Sequence, residues 1–125
     1  MSGDKIFVVH SHFAKNHHFD LRLEMNGTLK SWAVPKEPPK TAGVKRLAIQ
    51  VEDHPKSYAT FEGVIPEGSY GAGKVKIWDH GKYSLIEKTP NKILVDFQGK
   101  KLKGQYELIH AKLGGNEKGW LFFKK

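Results

Sequence analysis

Two histidines, an aspartate and an arginine stand at close spacing in His12-x5-His18-x-Asp20-x-Arg22. Side chains two apart on a strand project to the same face, so His18, Asp20 and Arg22 are expected to line one face in order. His12 lies just upstream, within reach of the same face if the chain curls back. Two imidazoles and one carboxylate hold a divalent ion and leave coordination positions open, as catalysis needs. A guanidinium beside such an ion is a two-pronged clamp whose geometry matches phosphate. The plainer reading is a solvated strand face with an Asp20–Arg22 surface pair of little energetic value. His-x-Asp with a distant histidine also describes the facial triad of an iron-dependent oxygenase, with His54 or His110 as third ligand.

The elements around these residues read as strands. From His18 to Met25 the chain alternates, with His18, Asp20, Arg22 and Glu24 on one face and Phe19, Leu21, Leu23 and Met25 on the other. Asn26-Gly27 follows, the favoured dipeptide of a type I′ hairpin turn, and Thr28 to Val34 returns antiparallel. A two-residue turn sets Met25 against Thr28, Arg22 against Ser31 and Asp20 against Ala33, leaving room beside the site residues. Leu21 then faces Trp32 and Phe19 faces Val34 as core, while Lys30 opposite Leu23 fits only if its ammonium reaches out near the turn.

Further strands are expected at Ile6–Val9, Arg46–Glu52, Lys74–Trp78, Lys82–Ile86, Lys92–Phe97, Gly104–His110 and Gly119–Phe123. Turns at Asp79-His80-Gly81, Thr89-Pro90-Asn91, Gly99-Lys100 and Gly114-Gly115-Asn116 separate the later ones. The pattern predicts a single all-β domain over residues 1–125, a small closed or nearly closed antiparallel β-barrel of about eight or nine strands. Pro35–Lys40 and Pro66–Lys74 read as ordered loops. The second ends in Gly-Ala-Gly-Lys but lacks the spacing and the following helix of a phosphate-binding P-loop.

The chain has no cysteine, which excludes disulfides, thiolate metal sites and cysteine nucleophiles. Its 21 Lys and Arg against 13 Asp and Glu give a net charge of +8, which favours a polyanionic partner. The first apolar run, Ile6–Val9, is too short for a signal peptide or a membrane span. A soluble, cytoplasmic monomer without membrane contact is expected. His54, in Val51-Glu52-Asp53-His54-Pro55, is suited to holding phosphate oxygens or moving a proton, with Tyr58 as a nearby hydrogen-bonding partner. The plainer reading of His54 is a strand end before proline. A basic nucleic-acid-binding barrel without catalysis also fits, with Tyr70, Trp78 and Tyr83 stacking bases; core packing is the ordinary role for those three.

These residues, with Gly27–Lys36, Phe61-Glu62-Gly63 and Ile65-Pro66-Glu67-Gly68-x-Tyr70-Gly71-Ala72-Gly73, resemble the phosphoesterase domain of the end-joining DNA ligase D over most of residues 7 to 80. The resemblance implies a small β-barrel and a manganese-favouring activity that heals 3′ ends. A 3′-terminal ribonucleoside and then the remaining 3′-phosphate are removed, leaving a 3′-hydroxyl. Zinc or cobalt also suits the ligand types. By motif, His12, His18 and Asp20 would bind the metal, Arg22 and His54 the phosphate, Tyr58 would assist, and Lys36 and Arg46 match basic positions tied to the phosphomonoesterase step. The implied partners are DNA or primer-template 3′ ends, and a ligase or polymerase of end joining encoded separately. The chain departs from the family at His10, commonly glutamine, and at His17, usually apolar and here a rival to His18. His10 reads either as a ligand or as a donor behind the ligands. The larger members' N-terminal segment, which carries acidic and basic site residues, is not expected here, and with it part of the ribonucleoside-removing step.

Overall fold

The structure, a computed structural model, describes residues 5–68, 72–112 and 115–125. Alternation sorts the side chains across the sheet as the sequence implies. Phe19, Leu21, Leu23 and Met25 enter the buried core with Trp32 and Val34, whereas Asp20 and Arg22 take the outer face. The strands are β1 Lys5–Phe13, β2 His17–Met25, β3 Thr28–Val34, β4 Lys45–Pro55, β5 Gly63–Ile65, β6 Gly73–Thr89, β7 Lys92–Gln98, β8 Lys103–His110 and β9 Gly119–Lys124. A short 3-10 helix, Lys56–Thr60, follows β4. Hydrogen bonding runs β1-β2-β3-β4-β9-β8-β7-β6 and returns to β1, so eight antiparallel strands close a barrel and β5 adds to β6 outside it. The expected all-β barrel is therefore what the chain forms. No helix among the described residues is long and apolar enough to cross a membrane.

The β2–β3 hairpin has the expected register, with Phe19↔Val34, Asp20↔Ala33, Leu21↔Trp32, Arg22↔Ser31, Leu23↔Lys30 and Met25↔Thr28. Asn26 at φ 54 and Gly27 at φ 81 supply the two positive dihedrals that a type I′ turn needs. Burying each large side chain of this lumen contributes roughly 1.5–3 kcal/mol. That burial makes a one-residue slip, which would turn the whole set outward, costly.

Four features differ from the sequence reading. β1 extends well past Val9 and carries His10 and His12, so His12 reaches the site as the direct cross-strand partner of His18 and not by a returning coil. Lys74–Trp78 and Lys82–Ile86 are one continuous strand, and Asp79-His80-Gly81 is no turn. Asp79 is buried there and accepts the backbone N–H groups of Lys100, Lys101 and Leu102 at 3.0, 3.0 and 2.8 Å. Gly81 sits where a Cβ would fall 2.3 Å from the Gln98 carbonyl oxygen. Turn-forming residues here serve close approach between strands and capping of the β7–β8 connection. β5 is only three residues long, too short to show a period. Finally, β4 continues through His54 and Pro55 and is irregular opposite β3: Ser31 pairs with Val51, but Leu29 pairs with His54. One extra residue on β4 therefore brings His54 onto the outer face.

Candidate active site

The β1–β2 hairpin opposes His12 to His18, His10 to Asp20 and Val8 to Arg22. Since Val9 and Leu21 face the lumen, His10, His12, His18, Asp20 and Arg22 share the outer surface. Asp20 is the hub. Its Oδ2 lies 3.4 Å from His12 Nδ1 and its Oδ1 lies 3.3 Å from His18 Nε2. One donor atom from each of the three residues fits within 4.8 Å of the others. His18 Nδ1 donates to the Asn16 carbonyl at 3.0 Å, so Nε2 is the nitrogen turned toward Asp20: protonated it donates to that carboxylate, and deprotonated it can ligate a metal. Two nitrogens and a carboxylate oxygen converging on one face, with open space before them, suit a divalent first-row metal. Burial works against the Asp20 carboxylate, but the His18 hydrogen bond and the Arg22 and His12 charges outweigh it and hold its pKa below the ordinary value. The Asp20 hydrogen bond raises the His18 pKa, against burial. A metal ion and a proton compete for that nitrogen.

Arg22 is buried and fixed from several sides. Its Nε donates to His10 Nδ1 at 3.1 Å and one Nη to Ser31 Oγ at 2.8 Å, while the other Nη is 3.4 Å from Asp20 Oδ2. The Tyr58 ring lies 5.0 Å from its Cζ. His10 has both ring nitrogens engaged, since Nδ1 accepts from Arg22 and Nε2 donates to the Phe61 carbonyl at 3.1 Å. Burial and the neighbouring Arg22 charge lower its pKa to about 4, so it is neutral at physiological pH. Of the two options left open for His10, this geometry fits the bracing role and leaves no nitrogen for a metal.

His54 approaches Arg22 from β4, with Nδ1 at 3.1 Å from Arg22 Nη1 and at 3.2 Å from the Glu52 carbonyl. One nitrogen cannot serve both partners together. Arg22 keeps its protons, so in the Arg22 pairing Nδ1 accepts and Nε2 carries the hydrogen. Burial and Arg22 lower the His54 pKa and favour this neutral form. Tyr58, on the 3-10 helix, packs against His54 at 4.8 Å between ring centroids and stacks on Phe61 at 4.9 Å. Burial raises its hydroxyl pKa. His12, His18, Asp20, Arg22, His54 and Tyr58 together line one cavity of about 400 Å³.

The remaining sequence candidates have other surroundings. Lys36 and Arg46 border a separate cleft of about 300 Å³, where Arg46 Nε donates to the Glu37 carbonyl at 2.8 Å. His17 faces away from the triad, bonded to Ser11 Oγ at 2.8 Å and stacked on Phe13. His110 stacks on Trp120 and donates to the Glu117 carbonyl, so it supplies no third ligand for an oxygenase triad; among the described residues that place is taken by His12. Tyr83 is fully buried with its hydroxyl on the Glu24 carbonyl, and half-buried Trp78 packs on the core beneath Lys101. Tyr70 lies outside the described residues. Ser31 and the Phe61 carbonyl are site components that sequence reasoning did not single out; the only signal was Ser31 opposite Arg22 in the hairpin register.

The family described as the DNA Ligase D 3′-phosphoesterase domain matches residues 10–110 of this chain. The chain belongs to that family. It is 46% identical over 123 residues to the multifunctional non-homologous end joining protein LigD of Pseudomonas aeruginosa, covering 94% of this chain and 15% of that protein. The same-named protein of Mycobacterium bovis is 47% identical over 116 residues, covering 89% of this chain and 15% of that protein. For Mycolicibacterium smegmatis the identity is 44% over 131 aligned residues, covering 96% and 16%. The chain thus spans about 15% of the length of these curated relatives. Family membership makes phosphoester hydrolysis the chemistry to set against the cavity.

Proposed function

We propose that this domain is a metal-dependent 3′-phosphoesterase that removes a 3′-phosphate, and a 3′-terminal ribonucleoside where one is present, to leave a 3′-hydroxyl on a DNA strand. One observation carries the reading: the Asp20 carboxylate touches both candidate ligand histidines and Arg22, so an ion site and an anion clamp share one cavity. His12, His18 and Asp20 would hold the ion, manganese by family resemblance, with zinc or cobalt compatible with the same donors. Bound there, the ion supplies Lewis-acid polarisation of the phosphate.

The remaining steps belong to the chain's own groups. Arg22, already oriented by His10 and Ser31, pairs with the non-bridging phosphate oxygens and offsets charge that grows in the transition state. His54 Nε2–H, on the neutral ring, adds a second hydrogen-bond donor to the phosphate. Tyr58 covers the guanidinium face and keeps water from it. The relatives' names place them in non-homologous end joining, and we assign this chain the same setting: it cleans 3′ ends that a ligase or polymerase of the pathway then uses.

The test is a labelled primer-template ending in a 3′-phosphate or a 3′-ribonucleotide, incubated with and without manganese. Wild type should release phosphate only with metal, and His18→Ala and Asp20→Ala should each lower the rate about 100-fold or more. Undiminished release by both variants would sink the metal assignment. Tight DNA binding with unaltered ends would instead favour a binding module.

A further inference from the structure

The hairpin tip that presents His12 and His18 to the cavity presents Phe13 and His17, cross-strand partners, on its other face. Phe13 is 46% exposed and Val64 71%, two of the four large apolar side chains so exposed among the described residues. Both line one cleft, of about 770 Å³, and this cleft shares Ala14 and Ile65 with the cavity that holds the triad. Two exposed apolar side chains therefore border a cleft that is contiguous with the phosphate clamp.

Phe13 is also held still. Its ring stacks on His17 at 4.2 Å with an interplanar angle of 9°, and His17 is tied through Nε2 to Ser11 Oγ at 2.8 Å. An aromatic face fixed before binding loses little entropy when a ligand stacks on it. Lys15 borders the same cleft, and Lys74 is the cross-strand partner of Phe13 on β6. A flat apolar face flanked by ammonium groups is how proteins seat a nucleobase while attracting its backbone. Glu67, which also borders the cleft, would repel a phosphate but accept a hydrogen bond from a base amino group or a sugar hydroxyl.

We propose that this cleft seats the unpaired terminal nucleoside of the strand, its base stacked on Phe13, while that nucleoside's 3′-phosphate enters the cavity across Ala14 and Ile65. The proposal rests on the 3′-phosphoesterase reading, and its test separates the two. The probe is an oligonucleotide whose last nucleoside is 2-aminopurine bearing a 3′-phosphate, compared with one whose last sugar lacks a base. Stacking on Phe13 should quench the 2-aminopurine fluorescence on binding. Phe13→Ala should abolish the quench and raise KM about tenfold with kcat unchanged, and Phe13→Tyr should restore both. On the abasic oligonucleotide, wild type and Phe13→Ala should have equal KM. Since Phe13 is half exposed, the alanine variant should keep the wild-type melting temperature.

The proposal is overturned if Phe13→Ala leaves quenching and KM unchanged, or weakens the abasic substrate as much as the complete one. Quenching that depends on Phe13 without any phosphate release would sustain the cleft and sink the activity. Release without such quenching would do the reverse.

Discussion

Arg22 shows how a single buried charge is made useful. Its guanidinium is nearly inaccessible to solvent, yet five groups on four strands and the 3-10 helix hold it at a fixed angle. Lysine has neither the fork nor the reach to meet Ser31, His10 and Asp20 together. Arg22→Lys should therefore slow 3′-phosphate release about 100-fold under single-turnover conditions. His10, which braces Arg22, makes acid stability a direct probe of the same contact. Its folded pKa of about 4 lies below the ordinary 6.5, so between these pH values the unfolded chain takes up a proton that the folded protein refuses. Stability from this group is complete above about pH 6.5, falls as the pH drops through the window and is lost below about 4. With a chelator present, wild type should lose on the order of 3 kcal/mol more than His10→Gln across that window in urea titrations. Equal losses would show that His10 is not held neutral by its surroundings.

At the scale of elements, two glycines that look alike in the sequence do different work. Gly27 needs its positive φ, but a Cβ there would meet nothing. Gly81 has no such dihedral to excuse it, and a Cβ would strike the Gln98 backbone. Gly27→Ala should cost about 1 kcal/mol from backbone strain alone. Gly81→Ala should cost roughly 3 kcal/mol, because strand β6 must move off β7. Chemical denaturation of the two variants checks the order, and a milder Gly81→Ala would mean that the barrel seam is looser than drawn. The extra residue in β4 belongs to this scale too. An unbroken β4 would have turned Asp53 outward in the place of His54, setting a carboxylate there in place of an imidazole.

For the whole molecule, the site is mounted on the outside of a barrel whose apolar core it does not enter. The core cluster runs from Phe7 to Phe122 through the lumen, and the three candidate ligands are not part of it. Removing metal should therefore abolish phosphate release without unfolding the chain, unlike small zinc modules that depend on their ion. Thermal melts with manganese and with a chelator should differ only by binding linkage, about 2.7 kcal/mol at a hundredfold excess over Kd. Unfolding in chelator at room temperature would contradict this picture.

Much of the architecture was legible before any coordinates because it is local. Period-two alternation, the Asn26-Gly27 turn and the closeness of His12 to His18 are set by neighbouring residues, so the hairpin register and the three candidate ligands follow from strand geometry. The remainder depends on partners remote in the chain. Asp79 reads as a turn until Lys100, Lys101 and Leu102 arrive to donate to it. His10 reads as a spare ligand until Phe61, fifty-one residues away, takes its second nitrogen. Lys36 and Arg46, apart in the chain, come to border one cleft only once β3 and β4 pair. The sequence by itself determined an all-β chain with one metal-like face beside an arginine. Tertiary structure alone decided which groups complete that face, because hydrogen bonds across the barrel are satisfied by position in space and leave no period in the chain.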